Sequence, residues 1–464
     1  MSPRPCIRCL ATLAAIAVIA GPARGQDAEF AAGQPVGQPA PTGTLPTPKP
    51  EPTVGLPEPA RSPVLAGWDE KNGFFLRSAD DRMQLRITGQ VQSDYRMYGN
   101  DRDAVDFDNF LIRRARLGIE ATVFGHYEFR LLPGFEAGNT RFQDAYLNAR
   151  WWDEFQFEAG KFKQPFSYEQ LIQDRFVPTL ERSMIDQLVP ARDVGLMAHG
   201  YKIFDDRFDY QASIYSGTIN GDQDTDKNKE AAGRVVVRPL RGWGLPDWVE
   251  PLQLGIAGTF GNDGGVLAPT TLHTPAFVTW FQFVPTVRSD GTRTRWTPEL
   301  VYIYGPFGFA AQYFGENQEL LAPRAGTSPA RVVEVNYRGG YVLATLLLTG
   351  EVREQYSQPI TPLRPFDPPS GCWGPGAWEL VGRASRLELE SDDPRGFARL
   401  MVPALSATRA TELTAGFNWY WNRWVRLQFN YEHARFNNAV RLGPTNANRL
   451  DHQNSFLTRF QIIF

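Results

Sequence analysis

The sequence predicts an all-β fold, a transmembrane antiparallel β-barrel, from three observations. Short runs alternate apolar residues with long charged or amide side chains, strand after strand. The apolar positions are heavy in Trp, Tyr and Phe near run ends, as in Trp151-Trp152 and Trp419 to Trp424. The segment Phe456 to Phe464 (FLTRFQIIF) puts Phe456, Phe460, Ile462 and Phe464 on one face and Leu457, Arg459, Gln461 and Ile463 on the other. Period-two alternation alone also fits a soluble β-sandwich. Charged side chains on one face and aromatic-rich apolar side chains on the other fit a barrel with lipid outside and water inside.

The elements follow in order. Cys9 to Gly21 is a short apolar run after Arg4 and Arg8 and before Ala23-Arg24-Gly25. Positive start, short apolar centre and small residues predict a secretory signal peptide over 1–25. The run is too short for a comfortable helical span. Residues 26–66 are dense in Pro, Gly, Gln and Thr and predict a disordered periplasmic segment. The barrel is expected over 67–464. Met83, Leu85, Ile87, Gly89 and Val91 alternate with Gln84, Arg86, Thr88 and Gln90. In the next run Leu111, Ala115, Leu117, Ile119, Ala121 and Val123 alternate with Arg114, Arg116, Glu120 and Thr122. Tyr127, Phe129 and Leu131 alternate with Glu128 and Arg130. Leu413 to Trp421 and Val425 to Tyr431 repeat the pattern across an Asn422-Arg423 turn. Each run has the length of a tilted membrane strand. Two segments break the texture. Gln164 to Val189 reads as a partly helical insertion that would fold inward and narrow a lumen, and Pro359 to Gly376 reads as a long loop.

Composition narrows the function. With 464 residues, a net charge of −3 and no basic tract, a nucleic-acid partner is not expected. Among the 48 basic residues only seven are lysine: Lys49, Lys71, Lys161, Lys163, Lys202, Lys227 and Lys229. Arginine stays charged everywhere and holds oxyanions in a planar fork. No cofactor or metal site is expected. Asp222, Asp224, Asp226, Asn228 and Glu230 lack the glycine and spacing of a calcium loop. The five histidines show no metal spacing. A barrel enzyme would need Ser385 or Ser455 beside His433 or His452, and no motif supports such a pair.

Residues 110–195 resemble the phosphate-selective porin O and P family. The runs that carry the resemblance are FLIRRARLGIEATVFGHYEFRL, FQDAYLNARWWDEFQFEAGKFKQPFSYEQL and TLERSMIDQLVPARDVGL. It continues in GAWELVGRASRLEL, in LTAGFNWYWN and in the last strand. The resemblance implies a sixteen-stranded outer-membrane barrel with an inward constriction loop. It also implies a homotrimer that contacts outer-membrane lipid and passes phosphate or related anions. A general, weakly anion-selective porin and a structural tethering barrel are the alternatives.

Alternation points Arg86, Arg96, Arg114, Arg116, Arg130, Arg150, Arg426 and Arg459 inward. The family's arginine pair matches Arg113 and Arg114. Strict alternation puts Arg113 on the apolar face, so either a bulge turns both toward the pore or Arg113 sits at the rim or a subunit contact. Lys161 and Lys163 lead into the insertion, and Arg175, Arg182 and Arg192 punctuate it. Low-dielectric walls focus such charges and enrich anions. Glu128, Asp144, Glu158, Glu169, Asp174, Glu181 and Asp193 lie near enough in sequence to pair with them instead.

Overall fold

The computed structural model describes residues 64–69, 73–99, 108–136, 140–218, 227–441 and 449–464. The expected signal peptide 1–25 and the acidic loop positions Asp222, Asp224 and Asp226 lie outside the described residues. So does the Pro-rich segment 26–66, except Val64, Leu65 and Ala66, which already belong to a strand.

The first hairpin is β1 (Val64–Asp69) and β2 (Gly73–Ser78). Nine strands follow: β3 (Gln84–Gly99), β4 (Asn109–Val123), β5 (Tyr127–Gly134), β6 (Arg141–Arg150), β7 (Gln156–Lys163), β8 (Arg192–Lys202), β9 (Phe208–Tyr215), β10 (Glu230–Val237) and β11 (Gln253–Val266). A small hairpin, β12 (Thr271–His273) and β13 (Thr279–Gln282), precedes β14 (Arg288–Tyr304), β15 (Phe307–Ala322) and β16 (Arg331–Leu347). A second small pair is β17 (Phe366–Asp367) and β18 (Cys372–Trp373). The chain ends with β19 (Ala377–Glu390), β20 (Arg409–Tyr420), β21 (Val425–Arg441) and β22 (Arg449–Ile463).

Leaving out the three hairpins, sixteen strands remain, each antiparallel to its neighbours, and β22 pairs with β3 from Asn454↔Gly99 to Ile463↔Gln90. The barrel is therefore closed and has no free edge, the condition for spanning lipid with strands. The β1–β2 hairpin adds to β3 through Phe74↔Ile87 to Arg77↔Gln84, just beyond the point where β22 stops. The last strand presents Phe456 and Phe460 outward and buries Leu457, Arg459 and Gln461, the faces that its alternation predicts.

One end of the barrel carries tight turns, at 124–126, 305–306 and 421–424. The other carries the longer loops, and in outer-membrane barrels that end is extracellular. Two extracellular segments fold into the lumen: 164–191, between β7 and β8, and the β12–β13 hairpin. The first holds α1 (Tyr168–Leu171) and two single turns at Asp174–Phe176 and Met184–Gln187. From the opposite end, residues 348–376 also reach inward. Arg353 pairs with Glu379 of β19 at 2.6 Å, and the Tyr356 hydroxyl lies 3.1 Å from Thr345 of β16.

The lumen is not uniformly wet. Leu180, Met184, Ile185 and Leu188 of the inward loop pack with Leu272, Trp280 and Phe281 of the small hairpin and with Val335, Tyr337 and Leu387 of the wall. Burying such side chains contributes roughly 1.5–3 kcal/mol each. On β16 the extracellular half consequently reverses the usual alternation. Val333, Val335 and Tyr337 point into this core, while Glu334, Asn336 and Arg338 point out. Open space remains along the wall from β3 to β9.

Candidate functional site

The site begins with a fault in a strand. Gln92 of β3 faces Arg114 of β4, yet the next residue, Ser93, faces Ile112. Arg113 has no partner across the ladder, which is a β-bulge. The bulge resets the face of β4. Phe110 and Ile112 lie outside (81% and 54% exposed), and Leu111, expected on the apolar face, turns toward Asp94. Arg113 and Arg114 both reach the inward loop: Nε of Arg113 is 2.7 Å and Nη2 of Arg114 is 3.4 Å from the Glu181 carboxylate. Of the two expectations for Arg113, the bulge is the one observed.

The loop is fastened from both sides. The Ser167 hydroxyl caps α1 by accepting from Gln170 N (3.3 Å). The Lys163 ammonium donates to the carbonyls of Gln170 (2.6 Å) and Ile172 (2.8 Å), so this lysine closes the loop's turn. Arg182 donates to the carbonyls of Glu169 (2.9 Å) and Ile172 (2.8 Å). Arg459 holds Asp94 through two bonds (2.6 and 2.8 Å) and reaches Glu181 at 2.7 Å. Arg426 donates to the Arg175 carbonyl (3.1 Å), and Arg383 to the Glu181 carbonyl (2.7 Å). Arg426, Arg459 and Lys163 were candidates for anion contact from their inward faces; here they bind the loop. Arg383 and Asp94 belong to the same fastening and were not singled out, although Arg383 alternates inward within the matching run GAWELVGRASRLEL.

Three chambers follow one another beside the loop. The outer chamber, of about 560 Å³, is lined by Arg113, Arg114, Lys161, Glu181 and Arg182 among others. The middle one, of about 360 Å³, is lined by Arg130, Asp144, Tyr146 and Glu158. They share Arg116, Asp174 and Arg192, which form the first neck. The inner chamber, of about 220 Å³, opens beside Arg86, Arg423 and Phe464. It shares Thr88, Gln173 and Arg175 with the middle one, and these form the second neck. There Arg175 donates to Thr88 Oγ1 (2.7 Å) and Gln173 Oε1 (2.9 Å). Arg150 stands apart at the rim, 3.3 Å from Glu128 and 43% exposed.

Charges at the first neck converge on Asp174. Arg182 lies 2.7 Å from it, Arg192 3.7 Å and Arg114 3.8 Å, and Arg116 is in direct contact. Burial opposes the charge on this carboxyl, but Arg182, Arg116, Arg114 and Arg192 outweigh it and hold the group well below its ordinary range. Glu181 is likewise opposed by burial and held low by Arg113, Arg114 and Arg459. Asp144 takes Arg192 at 2.7 Å and Arg130 at 3.2 Å, and Arg86 pairs with Glu120 at 2.8 Å. Among the described residues Arg175 has no carboxylate partner. A small oxyanion entering either neck would meet guanidinium forks in a confined polar space, the geometry that favours such anions.

The serine and histidine candidates do not meet. Ser385 and Ser455 are buried inward, with Ser385 donating to Glu412 at 2.6 Å, whereas His433 and His452 lie on the outward faces of β21 and β22.

Several solved outer-membrane proteins have a similar fold. The in-vitro folded trimer form of OmpT from Vibrio cholerae is 12% identical, over 83% of this chain and 100% of that one, with a TM-score of 0.49. Salmonella typhi OmpF in complex with daunomycin is 10% identical over 83% and 99%, with a TM-score of 0.48. Pseudomonas putida OprB is 10% identical over 82% and 94%, with a TM-score of 0.46. No curated protein matches the sequence. A family model settles the relationship by sequence: over residues 85–273 and 279–464 the chain belongs to the phosphate-selective porin O and P family.

Proposed function

We propose that this outer-membrane porin is anion-selective and passes phosphate or related small anions passively. The observation that carries the reading is the charge balance at the two necks. The first is lined by two guanidiniums and one carboxylate, and the second by one guanidinium and no carboxylate. Fixed positive charge along this shared lining enriches anions and repels cations, although Asp144 at 2.7 Å from Arg192 and Glu136 at 3.0 Å from Arg116 offset part of it at the first neck. Arg113, Arg114, Arg116, Arg130 and Arg175 are the residues assigned to anion contact, with Lys161 in the outer chamber and Arg86 at the exit. The assembly is a homotrimer embedded in outer-membrane lipid, reached through the signal peptide.

A second reading has its own support. Arg86, Arg113, Arg114, Arg116 and Arg130 each face a carboxylate. Such pairing weakens the net field and fits a general, weakly anion-preferring channel. Reversal potentials in planar bilayers across a potassium chloride gradient test the first reading, followed by phosphate addition. Anion preference with phosphate block supports phosphate selectivity. Anion preference without block supports the general channel, and cation preference rejects both.

A further inference from the structure

The outer wall carries a basic arc that conduction does not use. Arg338, Arg386, Arg409 and Arg435 sit on the successive strands β16, β19, β20 and β21, all on the outward face. Registers place them in two adjacent rows. In one, Arg338 pairs across to Glu388, and Glu388 to Arg409. In the next, Arg386 lies opposite Gly340 and one strand from Thr411, which faces Arg435. The same two rows run into aromatic side chains: Trp296 faces Gly315 beside Arg338, and Tyr313 faces Gly340 beside Arg386. A Cβ at Gly315 would touch both the Trp296 ring and Arg338 Nη1, so indole and guanidinium lie side by side.

Placement gives the arc its meaning. One row further toward the tight-turn end the outward residues are Val342, Ala384 and Leu413, and the apolar belt begins. The arginines therefore stand at the extracellular border of that belt, level with interfacial aromatics. This is the stretch where β16 turns Val333, Val335 and Tyr337 inward and its polar residues outward. On β3, β4, β6 and β8 the outward positions near the extracellular ends include the apolar Met97, Phe110, Phe142 and Val194, whereas β11, β14 and β15 present Asn262, Asp290 and Asn317 there. Only Glu388 lies between them, 2.5 Å from Arg386 and 3.5 Å from Arg409. Among the described residues Arg338 is in no salt bridge, and Arg435 has only the more distant Asp451 carboxylate, whose charge it stabilises.

We infer that this arc is a binding surface for a phosphorylated glycolipid headgroup of the outer leaflet. Its acyl chains would lie along Val342, Ala384 and Leu413, and its phosphates would take the guanidinium forks. The neighbouring indole and phenol suit the sugar–acyl boundary.

Native mass spectrometry of the purified, detergent-solubilised porin tests this with bis-phosphorylated lipid A, the same lipid dephosphorylated, and inorganic phosphate. The wild type should retain the bis-phosphorylated lipid, and R338Q/R386Q/R409Q/R435Q should lose at least about tenfold of it, given the strength of charge-assisted pairs. Unaltered single-channel conductance reports that the variant is folded. Glu388→Gln gives a second reading in the opposite direction, because removing the competing carboxylate should raise retention. Equal retention by wild type and quadruple variant would overturn the inference. So would equal retention of the dephosphorylated lipid, displacement by millimolar phosphate alone, or a change in oligomer size without a change in bound lipid.

Discussion

Asp174→Asn is the sharpest test of the necks. The substitution keeps the shape of the side chain and removes one negative charge from the ring of Arg114, Arg116, Arg182 and Arg192, three of which lie 2.7 to 3.8 Å away. A permeating anion that comes within about 4 Å of this carboxylate is repelled by about 1 kcal/mol if the lumen screens like bulk water, and by more if it is drier. Removing that repulsion should raise anion occupancy of the neck roughly fivefold. Planar-bilayer reversal potential across a tenfold salt gradient is the assay. The shift should be toward the anion limit and should shrink at high salt, where exposed charges are screened. Asp174 also braces the loop, so loss of a buried partner could cost about 3–5 kcal/mol of loop docking. Open-channel noise separates the two effects. A quiet channel with no shift in selectivity, or a shift toward cations, would refute the claim that the first neck sets the sign of selectivity.

Other outcomes follow from the same geometry. Arg114→Ala should weaken anion preference, read as a smaller reversal potential; no change would reject its assignment to anion contact. Arg175→Gln removes the cation of the second neck and should lower conductance at low salt by roughly the same fivefold, with little effect at 1 M salt on the order of a 3 Å screening length. Arg459→Leu removes the two-bond clamp on Asp94 but leaves it Arg96 at 3.0 Å, and leaves Glu181 with Arg113 and Arg114, so it should destabilise the barrel by at most about 3 kcal/mol, measured by heat-induced loss of the compact species on unboiled gels. Asp174 and Glu181 are both held below their ordinary range, so their contribution is complete above the unfolded values near 4 and is lost only as pH falls through the lower folded values. The bracing by these two carboxylates should therefore hold from neutrality to about pH 4.5 and fail only under stronger acid, whereas Glu169, raised by burial to about 7, takes up its proton earlier, so any change in loop noise between about pH 8 and 6 reports Glu169.

Strand alternation carried most of the architecture, because a membrane barrel forces each strand to show lipid one face and water the other. It carried the closing strand outright: Arg459 and Gln461 lie inward as their spacing required. It misassigned Leu111 because a bulge is one extra residue, invisible to a period-two count. Inward direction also proved insufficient for the site. Arg426 and Arg459 point inward as Arg114 does, yet the loop covers them. What separates the two groups is the path of 164–191 across the lumen, a tertiary fact with no local signature. The apolar filling escaped notice for a related reason. Val333, Val335 and Tyr337 alternate with Glu334, Asn336 and Arg338 as any strand residues would. Only the loop and the β12–β13 hairpin packed behind them show that the apolar set faces in.

That one-sided filling has a mechanical consequence. The chambers follow the wall from β3 to β9, while the arc from β15 to β21 is backed by a solid wedge of Leu180, Ile185, Trp280, Phe281 and Leu387. A squeeze from the leaflet on that arc meets close-packed side chains of low compressibility rather than a hollow. The stiff half acts as a keel, and the necks on the other side keep their bore when the surrounding lipid changes.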